Sequence, residues 1–212
     1  MRLYSYWRSS AAHRVRIALN LKGLDYEIVP VHLLEQGGRQ HLPDYVRLNP
    51  QHLVPTLVHD DFTLGQSLAI LQYLEAIAPE PPLVPREPRA AARMWQICHL
   101  IACDIHPLNN LRVLQYLERE FAVDPRARWY AHWIALGFEA LEALLAQEAQ
   151  GEFCCGDAPT LADVCLVPQV ASAQRVALDL TPYPRIAAVD ARCGRLETFR
   201  RAAPAAQPDA QP

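Results

Sequence analysis

Residues 2–23 run RLYSYWRSSAAHRVRIALNLKG. Residues 3–6 alternate as a short strand, and residues 14–22 carry Val15, Ile17, Ala18, Leu19 and Leu21 as the broad apolar face of a helix, with Gly23 placed as its C-terminal stop. Between strand and helix lie Arg8, Ser9 and Ser10. A strand that feeds a helix through a polar turn creates an anion site, because the first helical N–H groups have no internal partner and the helix dipole favours negative charge there. Two readings stay open from this stretch. The serines are helix caps and nothing more, or they also donate their O–H to an anion. If that anion is a thiolate, the magnitudes require a hydroxyl. A free thiol ionises near ~8.5 and must fall by roughly two pKa units, about 2.7 kcal/mol, to be charged at neutral pH. A helix terminus contributes only ~0.3–1 kcal/mol, and one hydrogen bond to the charged sulfur adds roughly 1.5–3 kcal/mol. The turn holds no cysteine, so the thiol would come from a small molecule.

Outward from this stretch, YEIVPVHL at 26–33 is a second strand and EQGGRQHLPDYVRLNP at 35–50 is mostly loop with one short helix. VPTLVHDDFTLGQS at 54–67 reads as two strands joined by a tight turn at 59–61, and QSLAILQYLEAIAP at 66–79 as an amphipathic helix ended by Pro79. The stretch APEPPLVPREPR at 78–89 holds five prolines, which neither a helix nor a central strand accepts. It marks a semi-rigid linker. Beyond it only helical periodicity remains, in residues 90–120, 126–148 and 160–178. The expected organisation is an α/β domain over 1–79, a Pro-rich linker over 80–88 and an all-helical domain over 89–212, with the tail from 200 poorly ordered unless docked.

The 212 residues are half apolar and carry a formal charge of −3 with acids and bases interspersed, so a sizeable core is possible and a generic nucleic-acid binder is not indicated. No apolar run approaches the ~18 residues of a membrane span, and the first residues show no signal-peptide core. The six cysteines form no C-x-x-C pair and no zinc pattern, and most sit in apolar surroundings, which is read as reduced thiols in a cytoplasmic protein. Arg14 and Arg16 are expected on the helix surface or in interdomain ion pairs, and Trp95, Trp129 and Trp133 in the core.

The segment SSAAHRVRIAL at 9–19 resembles the S-S-C-x-x-R-V-R-I-A-L signature of the zeta class of glutathione S-transferases, the branch containing maleylacetoacetate and maleylpyruvate isomerases. NPQHLVPTL, QSLAILQYLE, DIHPLNN, TLADVCLVPQV, LDLTPYP and AAPAAQPD follow in the family's order, so the resemblance covers nearly the whole chain. It departs at the signature cysteine, which is Ala11 here. The resemblance implies a thioredoxin-like N-terminal domain followed by an all-α helical bundle, glutathione as cofactor, and a homodimer. It assigns the thiolate-stabilising hydroxyl to Ser9, with Ser10 and Ala11 lining the same helix end. It places Gln40 near the glycyl end of glutathione and Val54 against the cysteinyl unit, with Pro55 cis. Gln66 and Ser67, which the sequence alone would read as a helix cap, become the clamp of the γ-glutamyl carboxylate. His106, Asn110 and Arg112 in DIHPLNNLR are further glutathione-site candidates, and Asp163 in TLAD is a structural capping-box residue. No metal is implied.

The reaction implied is isomerisation of a small dicarboxylate with a cis double bond beside a carbonyl. A thiolate adds to the conjugated alkene, the new single bond turns, and the thiol leaves. Two carboxylates call for guanidinium partners, and the resemblance points to Arg8 and Arg175, with Arg112 third. Maleylpyruvate enzymes have a second arginine where this chain has Leu111, which favours maleylacetoacetate as substrate. A maleylpyruvate isomerase and a zeta-type transferase or haloacid dehalogenase are the alternatives.

Overall fold

The computed structural model describes residues 1–121, 126–147 and 151–211. In chain order the elements are β1 (Arg2–Ser5), α1 (Ser10–Leu21), β2 (Glu27–Pro30), α2 (Pro43–Leu48), β3 (Thr56–His59), β4 (Phe62–Gly65), α3 (Ser67–Ile77) and α4 (Pro88–His99). There follow α5 (Leu111–Phe121), α6 (Ala131–Gln147), α7 (Leu161–Arg175), α8 (Pro184–Cys193) and α9 (Glu197–Ala202). They sort into two compact units, residues 1–83 with 195–211 and residues 84–194.

The first unit is built on a four-stranded sheet of order β2-β1-β3-β4. β1 and β2 run parallel, so α1 serves as the crossover between them, and the other two pairings are antiparallel. Leu3 lies in register with Ile28 on one side and Leu57 on the other. Leu3, Val15, Ile17, Leu19, Leu57, Ile70 and Leu74 are fully or almost fully buried, which puts the core under α1 and α3. Gly23 ends α1 as expected: at φ 64° it adopts the left-handed conformation that a Cβ would penalise, and Leu24 N–H bonds back to the Leu19 carbonyl at 3.0 Å.

The expected surface placement of Arg14 and Arg16 does not hold; both are buried, at 1% and 0% exposure. Arg16 is fully employed. Its Nε donates to the Ala202 carbonyl at 2.9 Å, Nη1 to Ser5 Oγ at 3.0 Å and Nη2 to the Trp7 carbonyl at 3.1 Å. Burial holds its pKa down at about 10, opposed by the charges of Tyr26 and Asp209. This guanidinium explains a second departure from expectation. The chain's last segment belongs with the sheet unit and not with the helical domain that the sequence extends to 212. Arg16 seizes the end of α9, Asn20 Nδ2 donates to the Thr198 carbonyl at 2.9 Å, and Asp209 accepts from Trp7 N–H at 3.1 Å, so the tail is docked.

The proline-rich stretch is anchored at its start. Lys22 Nζ reaches Glu75 at 2.6 Å and the Pro81 carbonyl at 2.7 Å. It ends where Pro88 opens α4 and the Glu87 carboxylate accepts from Arg89 and Ala90 N–H at 3.0 and 2.7 Å.

The second unit is all helix. α4 continues through a π-helical segment, Leu100–Ile105, into a 3₁₀ turn, Pro107–Asn109, and a second π segment, Arg126–Tyr130, leads into α6. A Cβ at Gly137 would sit 2.3 Å from Ile105, so the glycine permits the close approach of α6 to the first π segment. Met94, Ile97, Ile101, Ile105, Ile134, Phe138 and Leu161 form the core. The expected end of the 126–148 helix, at Glu148, lies outside the described residues. Trp95, Trp129 and Trp133 are only half-buried, not core residues. Trp129 spends its Nε1–H on the Leu108 carbonyl at 2.8 Å, as an amphipathic ring at a core margin does. Asp163, fully buried, accepts from Cys154 N–H, Thr160 N–H and the Thr160 hydroxyl at 2.8–2.9 Å. Burial raises its pKa and these bonds oppose the rise, so its role is to cap and tie the start of α7.

Candidate functional site

In the first unit the polar turn forms as the sequence indicates. Ser9 is the N-cap of α1 with extended backbone, and its Oγ accepts from Ala12 N–H at 3.2 Å. A hydroxyl has two lone pairs and one proton. The cap uses a lone pair, so capping and donation to an anion are compatible and need not be alternatives. Ser10 and Ala11 follow as the first, buried residues of α1. The turn is fixed from behind by the Trp7 backbone, held on one side by Arg16 and on the other by Asp209. Arg8 is exposed, with its guanidinium 4.9 Å from the Trp7 ring centre.

Val54 is buried against Tyr6, Val31 and Tyr45, and the Val54–Pro55 peptide bond is cis, as the family resemblance implies. The loop before it is pinned by Asn49 Nδ2, which donates to the Leu53 carbonyl and to Thr56 Oγ1, each at 2.9 Å. Tyr45 joins the same two groups, and burial pushes its pKa up to about 12. Gln40 is buried; its Nε2 donates to the Leu33 carbonyl at 3.3 Å, and its Oε1 has no partner.

The start of α3 is unusual. Gln66 stands at φ 65°, ψ 113°, a left-handed conformation that costs a non-glycine residue of order 1–3 kcal/mol and concentrates at functional sites. Its side chain does not cap the helix; it turns outward and donates to Gln51 Oε1 at 2.8 Å. Ser67 is buried as the first residue of α3, and its Oγ accepts from Arg14 Nη1 at 3.2 Å. The simple cap reading of GQS therefore fails, and the first amides of α3 have no side-chain cap.

In the second unit, His106 is half-buried where the π segment gives way to the 3₁₀ turn; its N–H bonds to the Ile101 carbonyl at 2.9 Å. Asn110 caps α5: its Oδ1 accepts from Arg112 N–H at 3.2 Å, and its carbonyl accepts from Val113 and Leu114 at 2.9 and 3.1 Å. Arg112 is exposed in the first turn of α5. Arg175, exposed at the end of α7, donates from Nη2 to Tyr130 Oη and to Ser172 Oγ, both at 3.0 Å. Asn109 Nδ2 meanwhile donates to the Tyr130 carbonyl at 3.3 Å. Tyr130 thus links the 106–110 turn to Arg175. Sequence reasoning missed Tyr130, Asn109 and Ser172, as it missed Gln51, Arg14 and Asp209 in the first unit. The available signal was membership of the matched motifs, which hold Arg14, Gln51, Asn109 and Asp209 but neither Tyr130 nor Ser172. Among the described residues no group of histidines, cysteines and acids could hold a metal ion, and no helix is long and apolar enough to cross a membrane.

These arrangements belong to a known pattern. Residues 1–76 match the family model described as glutathione S-transferase, N-terminal domain, and residues 127–192 the one described as glutathione S-transferase, C-terminal domain. The chain is 52% identical over 213 aligned positions to a maleylpyruvate isomerase of Ralstonia sp., covering 99% of each. It superimposes with a TM-score of 0.96 on a holo structure of maleylpyruvate isomerase, a bacterial zeta-class glutathione S-transferase, at 50% identity and full coverage of both. A maleylacetoacetate isomerase from Methylobacterium extorquens AM1, solved with malonate and glutathione bound, gives 0.95 at 40% identity, again over both whole chains.

Proposed function

The chain belongs to the zeta class of glutathione S-transferases, and we propose that it is a glutathione-dependent cis–trans isomerase converting maleylacetoacetate to fumarylacetoacetate. The observation that carries the reading is the Ser9 turn, which offers a hydroxyl proton at a helix N-terminus where no protein cysteine stands. The donor set also fits the cofactor. Ser9 suits a thiolate, the uncapped start of α3 with Ser67 suits the γ-glutamyl carboxylate, Val54 beside its cis peptide bond suits an extended peptide, and Gln40 lies in the same unit for the glycyl end. Glutathione, when bound, supplies the sulfur nucleophile that the protein lacks.

The chain's own residues do the rest. Ser9 donates to the sulfur and lowers its pKa. Ser10 and Ala11, both buried, line the same helix end. Arg175, oriented by Tyr130 and Ser172, pairs with a substrate carboxylate as a planar fork. Arg8, whose side chain is stacked on Trp7, supplies positive charge for the oxygen that gains charge during the reaction. In the second unit His106, Asn110 and Arg112 are the glutathione contacts that the family resemblance implies, and Asn110 also orders the start of α5. The six thiols, all free, suit a reducing, cytoplasmic address, and a homodimer is the expected assembly.

A maleylpyruvate isomerase is the second reading, favoured by the 52% identity to the Ralstonia protein; Leu111, in the place of a second arginine, favours the first. Purified protein with glutathione, assayed side by side on maleylacetoacetate, maleylpyruvate and a small α-haloacid, decides. Fastest turnover of maleylacetoacetate supports the proposal, and turnover of the haloacid alone refutes it.

A further inference from the structure

Two arginines on one turn of α1 are buried to the same degree and are treated differently by the fold. Arg16 has an acceptor for Nε, Nη1 and Nη2. Arg14, 1% exposed, has one bond, from Nη1 to Ser67 Oγ at 3.2 Å, while Nε and Nη2 have no partner. No carboxylate among the described residues forms an ion pair with it. A buried charge without a counter-charge is expensive, and a fold that satisfied Arg16 with three acceptors had the means to satisfy this one. Arg14 also lies one helical turn below Ser10 and reaches the first residue of α3, so it underlies both helix starts in the unit.

We propose that Arg14 is a buried positioning residue whose uncompensated charge selects for the α-carboxylate of the γ-glutamyl group, acting through Ser67. The proposal rests on the assignment of that carboxylate to the start of α3. Because Ser67 Oγ accepts from Arg14, its own proton is directed away from the guanidinium and toward the position of the ligand. The arriving carboxylate then brings the missing negative charge to a region where Gln66 is already held in a strained conformation. Selectivity between glutathione and thiols lacking that carboxylate follows from the charge behind the serine, not from the serine alone.

The test compares two ligands, glutathione and γ-aminobutyryl-cysteinylglycine, which differ only in the α-carboxylate, by calorimetric binding to wild type, Arg14→Met and Ser67→Ala, together with thermal unfolding without ligand. Arg14→Met is expected to weaken glutathione about ten- to a hundredfold and leave the analogue unchanged. Its ligand-free melting temperature is expected to be no lower than wild type, because the substitution removes a buried charge with one neutral partner. Equal loss for both ligands, or unchanged glutathione affinity with a lowered melting temperature, shows a structural arginine and overturns the proposal. If Ser67→Ala leaves glutathione binding intact, the placement of the carboxylate falls and the proposal with it. If Ser67→Ala weakens glutathione selectively and Arg14→Met does not, the placement stands and only the role of Arg14 falls. Should Arg14→Met not fold, Arg14→Lys is read by the same ligand ratio: a ratio below wild type supports the proposal, and the wild-type ratio overturns it, since a lysine cannot reproduce the directed guanidinium bond.

Discussion

Arg175 is the residue whose loss separates substrate recognition from stability most cleanly. Its Nη2 bonds the hydroxyls of Tyr130 and Ser172, each at 3.0 Å, and the side chain is exposed at the end of α7. Arg175→Ala truncates an exposed side chain, so the expected cost in stability is about 1 kcal/mol or less. A guanidinium bonded to a carboxylate contributes roughly 1.5–3 kcal/mol, which is about a 10- to 150-fold loss in kcat/KM for a dicarboxylate. Arg175→Lys keeps the charge without the fork and is expected to fall between. Tyr130→Phe keeps the guanidinium and removes one tether, so it should raise KM by a smaller factor. The assay is steady-state kinetics on the dicarboxylate and, in parallel, on a neutral haloalkane with glutathione. Unchanged KM for the dicarboxylate in Arg175→Ala, or an equal loss on the neutral substrate, refutes the assignment.

Three other expectations follow from single contacts. Ser9→Ala should slow isomerisation at neutral pH by about tenfold or more while leaving glutathione affinity close to wild type, and should lower stability by about 0.5–2 kcal/mol through the lost cap; equal turnover by the mutant removes the hydroxyl from the mechanism. Arg16→Met strands the Ala202 and Trp7 carbonyls and Ser5 Oγ, and should cost at least about 3 kcal/mol in urea unfolding; a loss under about 1 kcal/mol would show that the tail is not held there. Burial alone lifts the pKa of Asp190 from 3.8 to about 6, so the folded protein binds the extra proton between those values. Stability should therefore fall as pH rises through that window, by up to about 3 kcal/mol, and Asp190→Asn should flatten the curve; an unchanged slope in the mutant contradicts this.

The fold was legible because its signals are local. Alternation in 3–6, helical period in 14–22, the β3–β4 hairpin and the proline run each depend on neighbours in sequence. Ser9 and Ser67 were legible as members of helix starts. Arg14 and Arg16 were misplaced because a charged residue every second position on a short helix reads as surface. Their burial is a tertiary event, driven for Arg16 by acceptors up to 186 residues away in sequence. The docked tail was unreadable for the same reason, since its partner is a guanidinium near the other end of the chain. Tyr130 was hidden because its function is to hold Arg175, 45 residues on, and no spacing rule connects the two.

The most direct measurement is the ionisation of the glutathione thiol in its complex with the wild-type protein, followed by ultraviolet thiolate absorbance against pH. A hydroxyl bond and a helix terminus together should bring the bound thiol to about 6.5, roughly two pKa units below the free value. A bound thiol that titrates where the free one does would contradict the role given to Ser9 and with it the isomerase mechanism.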